Sequence, residues 1–140
     1  MTDATEADIR SLLDAETIAV VGCSGTSGKA AHDVPAYLQR HGYEIIPVNP
    51  HRDEVLGREA AASLADVAER VDLVDVFRPS EEVSGIVDAV IERVERRADV
   101  WGLWLQLGIR DDTAVERARD AGVTAVQDRC LKVEHGRLRG

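Results

Sequence analysis

The stretch TIAVVGCSGTSGK, residues 17–29, reads as a buried strand that runs directly into a glycine-rich loop. Ile18, Ala19, Val20 and Val21 form an unbroken apolar run, the pattern of a strand covered on both faces in a parallel sheet. Gly22, Gly25 and Gly28 punctuate the small residues Ser24, Thr26 and Ser27, and Lys29 leads into a helical pattern. Backbone N–H groups of such a loop can close on a phosphate, and the positive end of the next helix points at the same place. The stretch predicts a site for a phosphate-bearing nucleotide or cofactor.

Outward from it, the chain alternates strands and helices. Residues 5–14 predict a leading helix with Ile9, Leu12 and Leu13 on one face and a capping box of Thr5 and Asp8. Val34, Tyr37 and Leu38 set the spacing of a helix over 33–40, which Gly42 ends. A second strand over 43–48 closes at Asn49-Pro50, and a polar segment, 51–59, leads to a short helix over 63–69. Residues 72–77 predict the third strand. Ser80 is expected to cap the clearest helix, whose apolar face is Val83, Ile86, Val87, Val90, Ile91 and Val94. A strand over 100–105, a helix over 111–121 and a strand over 123–126 follow, and residues 132–140 read as a tail. Trp104 points away from Leu103 and Leu105, more in keeping with a core position than with a cofactor cage.

This order predicts one α/β domain over residues 1–140, a doubly wound sheet of about five parallel strands with helices on both faces. Ligands of such sheets bind beyond the carboxyl ends of the strands. The rule gathers five segments: 22–29, 49–52, 77–79, 106–108 and 128–130.

Composition narrows the function. With 26 acidic against 17 basic residues and a net charge of −9, the chain lacks the basic footprint of a nucleic-acid binder. Only Lys29 and Lys132 are lysines. Acid excess with arginine in place of lysine fits a high-salt cytoplasm, where screening weakens self-repulsion, and a GC-rich genome gives the same arginine bias. No apolar run approaches the ~18 residues of a membrane span, and the acidic start is unlike a signal peptide, so a cytoplasmic protein is expected. Cys23 and Cys130 lie far apart, with no metal-ligand spacing around them. They read as free, structural thiols, and exchange of either with a thiol ligand is the sharper alternative.

The loop spacing is G-x-x-G-x-x-G, neither the dinucleotide fingerprint nor the P-loop. Ala30 occupies the position where a P-loop places its magnesium-binding hydroxyl. NAD enzymes place an acid at the end of the second strand to hold a ribose hydroxyl. Here Val48-Asn49-Pro50-His51-Arg52 stands there, with no carboxylate before Asp53. A basic pair suits an extra ribose phosphate, which NADP and coenzyme A both carry.

VVGCS at the first turn, GYEIIPVNP (42–50), VDLVDVFRPS (71–80), LWLQLGI (103–109) and AGVTAVQDRC (121–130) occur in this order and spacing. Together they resemble the small stand-alone CoA-binding proteins with a Rossmann-like domain, similar in turn to the CoA-binding domain of succinyl-CoA synthetase α-subunits. The resemblance covers nearly all of residues 18–134. It implies non-covalent binding of coenzyme A or an acyl-CoA, with the pyrophosphate over the first loop and the adenosine end near residues 49–52. The family's loops often carry Arg-Pro-Ser where this chain has Lys29-Ala30-Ala31. The synthetase's phosphorylated-histidine domain is absent, so the resemblance carries over binding and no ligase activity; a catalytic activity of its own is not expected from it. A role as carrier, sensor or accessory subunit follows, with a homo-oligomer or an acyl-CoA synthetase-type partner. The alternative is an NAD(P)-linked oxidoreductase or redox regulator.

The expected contacts are Gly22, Ser24, Gly25, Thr26, Ser27, Gly28 and Lys29 from the first loop, and Asn49, Pro50 and Arg52 from the second. Phe77 and Arg78 come from the end of the third strand, and Gln106 and Gly108 from the turn after the fourth. No metal ligand and no catalytic residue stands out.

Overall fold

Helix α1 (Glu6–Leu12) opens the chain with the expected capping box: Asp8 N–H donates to Thr5 Oγ1, and Thr5 N–H donates to the Asp8 carboxylate. The structure, a computed structural model, describes residues 3–140; Met1 and Thr2, part of the acidic start, lie outside the described residues. β1 (Thr17–Val21), α2 (Ala30–Arg40) and β2 (Glu44–Val48) follow. A two-stranded hairpin, β3 (Glu54–Val55) and β4 (Arg58–Glu59), leads to β5 (Leu73–Val76) and α3 (Val83–Arg97). The chain closes with β6 (Gly102–Leu105), α4 (Asp112–Asp120), β7 (Thr124–Val126) and α5 (Leu131–Leu138).

The central sheet has five strands, all parallel, in the order β2-β1-β5-β6-β7. Beyond β2 a single parallel bridge joins Val48 to Ala61, fixed by Asn49 N–H to the Ala61 carbonyl and Ala61 N–H to the Pro47 carbonyl. The fold is α/β, doubly wound and Rossmann-like, with that bridge as a rudimentary strand outside β2. α3 and α4 cover one face, packing Val83, Val87, Val90 and Val115 against Ala19, Val74 and Leu103. α1, α2 and α5 cover the other, where Leu12, Leu38 and Leu131 meet Ile18, Val20 and Trp104. Trp104 is fully buried and donates its indole N–H to the Arg129 carbonyl. The strand order reverses between β1 and β5, which opens a crevice at their carboxyl ends. No helix among the described residues is long and apolar enough to cross a membrane.

Several elements depart from expectation for local reasons. The helix expected over 33–40 starts at Ala30, three residues earlier. The short helix over 63–69 is a single 3-10 turn, Leu64–Asp66, because the following carbonyls turn inward to a buried arginine, Arg93. Ser80 does not cap α3: it opens a 3-10 turn, Ser80–Glu82, and its Oγ accepts the Arg110 N–H instead. Residues 132–140 are no tail, since α5 docks there with Leu131, Glu134 and His135 buried.

Candidate functional site

At the carboxyl end of β1 the chain turns at Gly22, where φ is +85°. A Cβ there would lie 2.8 Å from Arg78 Cδ, so glycine answers both a backbone and a packing demand. The loop then braces itself. Ser24 Oγ accepts the Thr26 N–H, Ser24 N–H donates to the Ala31 carbonyl, and Gly28 N–H donates to the Asp33 carboxylate. The Asp33 carboxyl is held below the usual carboxylate range, first by His32, whose Nδ1 lies 3.0 Å away, and then by the Gly28 N–H.

Lys29 occupies the cap position of α2 without a side-chain hydrogen bond to the helix. Among the described residues, no protein acceptor meets the N–H groups of Ala30 and Ala31 in the first turn, and Lys29 has no ion-pair partner. An eleven-residue helix therefore presents an uncapped positive end beside a lysine.

This end opens on a cleft of about 840 Å³, within the range of ligand sites. Gly22, Ser24, Lys29 and Ala31 line its loop side, and Val21 and Val48 its floor. Asn49, Pro50 and His51 enter from the end of β2, Phe77 and Arg78 from the end of β5. Asn49 ties two walls together: its Nδ2 donates 2.9 Å to the Cys23 carbonyl, and its Oδ1 accepts the His51 N–H at 2.8 Å. The third wall comes from Ala62, Ser63 and Leu64, and the fourth from Glu81, Glu82, Gly85, Ile86 and Ala89 at the start of α3.

Arg93 holds the third wall in place. Its guanidinium is buried against Asp99 at 2.7 Å and donates to the carbonyls of Leu64, Val67 and Glu69. Asp99 in turn accepts the Val71 N–H. With its charge paired and several donors satisfied, the buried pair fixes the chain that borders the cleft.

Of the residues expected at the site, Gly22, Ser24, Lys29, Asn49, Pro50, Phe77 and Arg78 are brought together in this lining. Gly25, Thr26, Ser27 and Gly28 form the outer turn of the same loop. Arg52 also stays outside the lining, its guanidinium laid over Gly25, where a Cβ would come within 2.8 Å of Cζ. Gln106 and Gly108 lie elsewhere. The Gln106 carboxamide is buried and accepts the Leu131 N–H, and Gly108 N–H donates to Asp128 Oδ1. Both therefore organise the start of α5 and the β7 turn.

His51, half of the basic pair read in the sequence, enters the lining, whereas the α3 and 62–64 walls were missed in the sequence. The usable signal was Gly85 and Ala89, small residues at i and i+4 beside the apolar stripe of α3. Cys23 is fully buried, and burial pushes its thiol up to about 12, which disfavours the reactive thiolate. Among the described residues no cluster of His, Cys, Asp and Glu could hold a metal ion.

The CoA binding domain family matches residues 16–136. The chain is 37% identical to the uncharacterized protein YneT of Bacillus subtilis (strain 168), over 96% of this chain and 97% of that one. Its fold superposes on a solved Thermus thermophilus structure, cell-free ID.343, with a TM-score of 0.86 and 40% identity, covering 96% of this chain and 98% of that one. It is also 31% identical to acetate–CoA ligase [ADP-forming] II of Archaeoglobus fulgidus, over 61% of this chain but only 13% of the ligase. This chain belongs to the CoA binding domain family.

Proposed function

We propose that the protein binds coenzyme A or an acyl-CoA non-covalently in the cleft at the carboxyl ends of β1, β2 and β5, and serves as a carrier, sensor or accessory subunit. The observation that carries this reading is the uncapped start of α2: among the described residues the N–H groups of Ala30 and Ala31 meet no acceptor, and Lys29 and Ala31 line a cleft of ligand size. A pyrophosphate is the natural occupant of such an end. Arg52, lying over Gly25 at the rim, is suited to the additional ribose phosphate of coenzyme A. The likeness to an acetate–CoA ligase supports the same ligand. The ligase reaction is not carried over, since the chain spans 13% of that enzyme.

A nicotinamide cofactor is the competing occupant. Against NAD stands the end of β2, where Asn49, Pro50 and His51 enter the cleft and no carboxylate stands before Asp53. Asp53, the first acid after it, is exposed and belongs to the hairpin, where its carbonyl accepts the Ala60 N–H. Calorimetric titration with coenzyme A, NADP and NAD separates the readings. Heat of binding with coenzyme A and none with NAD is expected; binding of NADP but not coenzyme A would overturn the proposal.

A further inference from the structure

Arg78 and Glu82 face each other on the cleft wall where β5 hands over to α3. Arg78 Nη2 lies 2.6 Å from Glu82 Oε2, and Arg78 Nε lies 3.1 Å from Oε1, so the guanidinium is gripped at two points. Its methylenes pass over Gly22, leaving no room for a Cβ there. The arginine packed against the first residue of the glycine-rich loop is therefore positioned by a carboxylate. Both side chains line the cleft together with Glu81, across from Lys29. Two acids and two strong bases leave the charged lining neutral, an unusual balance in a cleft suited to a polyanion.

We propose that Arg78 exchanges Glu82 for a phosphate oxygen of the ligand, and that Glu82 sets the affinity of the site by competing for the guanidinium. The proposal rests on the coenzyme A reading only in that the ligand carries phosphate. The side chains of Arg78 and Glu82 are each 47% exposed, and an ion pair so placed adds little to stability. A phosphate offers the same two-pronged geometry with more charge. Exchange requires rotation of the guanidinium and leaves the backbone where it is. Uncharged ligands cannot drive it, so the pair favours multiply charged phosphate ligands over neutral molecules of similar shape.

Calorimetry with coenzyme A and, separately, inorganic pyrophosphate tests this on the wild-type chain, Glu82→Gln, Arg78→Gln and the double variant. Glu82→Gln should tighten both ligands about three- to ten-fold by removing the competitor. In the Arg78→Gln background the same change should alter affinity by less than about two-fold, because no guanidinium remains to be released. Equal tightening in both backgrounds would make Glu82 a general repulsive charge and overturn the exchange. So would unchanged or weakened binding in Glu82→Gln, or no binding of either probe to any form. Pyrophosphate binding that follows the expected cycle, without coenzyme A binding, would keep the exchange and sink the coenzyme A reading. Coenzyme A binding indifferent to the cycle would do the reverse. Unchanged thermal unfolding of the exposed-site variants confirms that affinity, and not folding, is being read.

Discussion

Gly22 and Gly25 sit in one loop and answer to different constraints. Gly22 has φ +85° and the Arg78 methylenes against it; Gly25 has an ordinary φ and meets only the end of the flexible Arg52 side chain. Gly22→Ala is expected to destabilise the protein by about 1–2 kcal/mol, the strain of a left-handed residue with a Cβ. An unshifted urea midpoint would contradict that. Gly25→Val should keep the fold within about 1 kcal/mol, yet weaken coenzyme A at least about ten-fold by moving Arg52 and narrowing the loop. A folded variant with wild-type affinity would place the ligand away from this loop. Asp75 presents a different constraint. It lies in β5 between Val20 and Trp104, fully buried, and neither carboxyl oxygen meets a hydrogen-bond partner. Burial pushes its carboxyl well above the usual range; the Val76 N–H, outside good hydrogen-bond geometry, opposes this only in part. Below about pH 4, folded and unfolded chains both hold the proton. As pH rises, the unfolded chain releases it while the folded chain keeps it, so stability falls by up to about 1.4 kcal/mol per unit until the buried group ionises. Urea unfolding of wild type and Asp75→Asn at pH 5 and pH 8 should show the difference moving in favour of the variant at the higher pH. A difference independent of pH would contradict a neutral Asp75.

At the scale of elements, α3 does two jobs. Val83, Val87 and Val90 fill the core, while Arg93, one turn further on, reaches back to staple residues 64–69 beside the cleft. Arg93→Ala leaves Asp99 charged and buried without its partner, and a loss of about 3–5 kcal/mol is expected in urea unfolding. A loss below about 1 kcal/mol would mean that the staple is not needed. The core job of α3 was legible in the sequence because it is periodic: valines at helical spacing have one physical reading. The staple was not, because a lone arginine within a charged stretch reads as solvated, and only the fold shows the carbonyls it meets. The same limit explains the 63–69 segment, expected as a short helix, whose carbonyls serve Arg93. It also explains Gln106, whose position after a strand suggested a ligand contact, while its buried Oε1 accepts the Leu131 N–H at the start of α5.

For the molecule as a whole, the alternating strands and the glycine-rich turn carried the fold, since parallel strands joined by helices leave few arrangements. They also brought Gly22, Lys29, Asn49 and Arg78 to one crevice. What the alternation could not convey was depth. The alternation does not say how far a residue after a strand reaches, so Pro50 and His51 enter the lining while Arg52, the next residue, lies over Gly25. In the proposed complex coenzyme A sits in this crevice with its phosphates at the start of α2. Backbone amide shifts in a nitrogen-15 NMR titration with coenzyme A test it residue by residue. The largest changes are expected at Gly22, Ser24, Ala30, Ala31 and His51, with Gly108 and the β7 turn quiet. Changes centred on Gly108 and Asp128, or none at saturating coenzyme A, would contradict it.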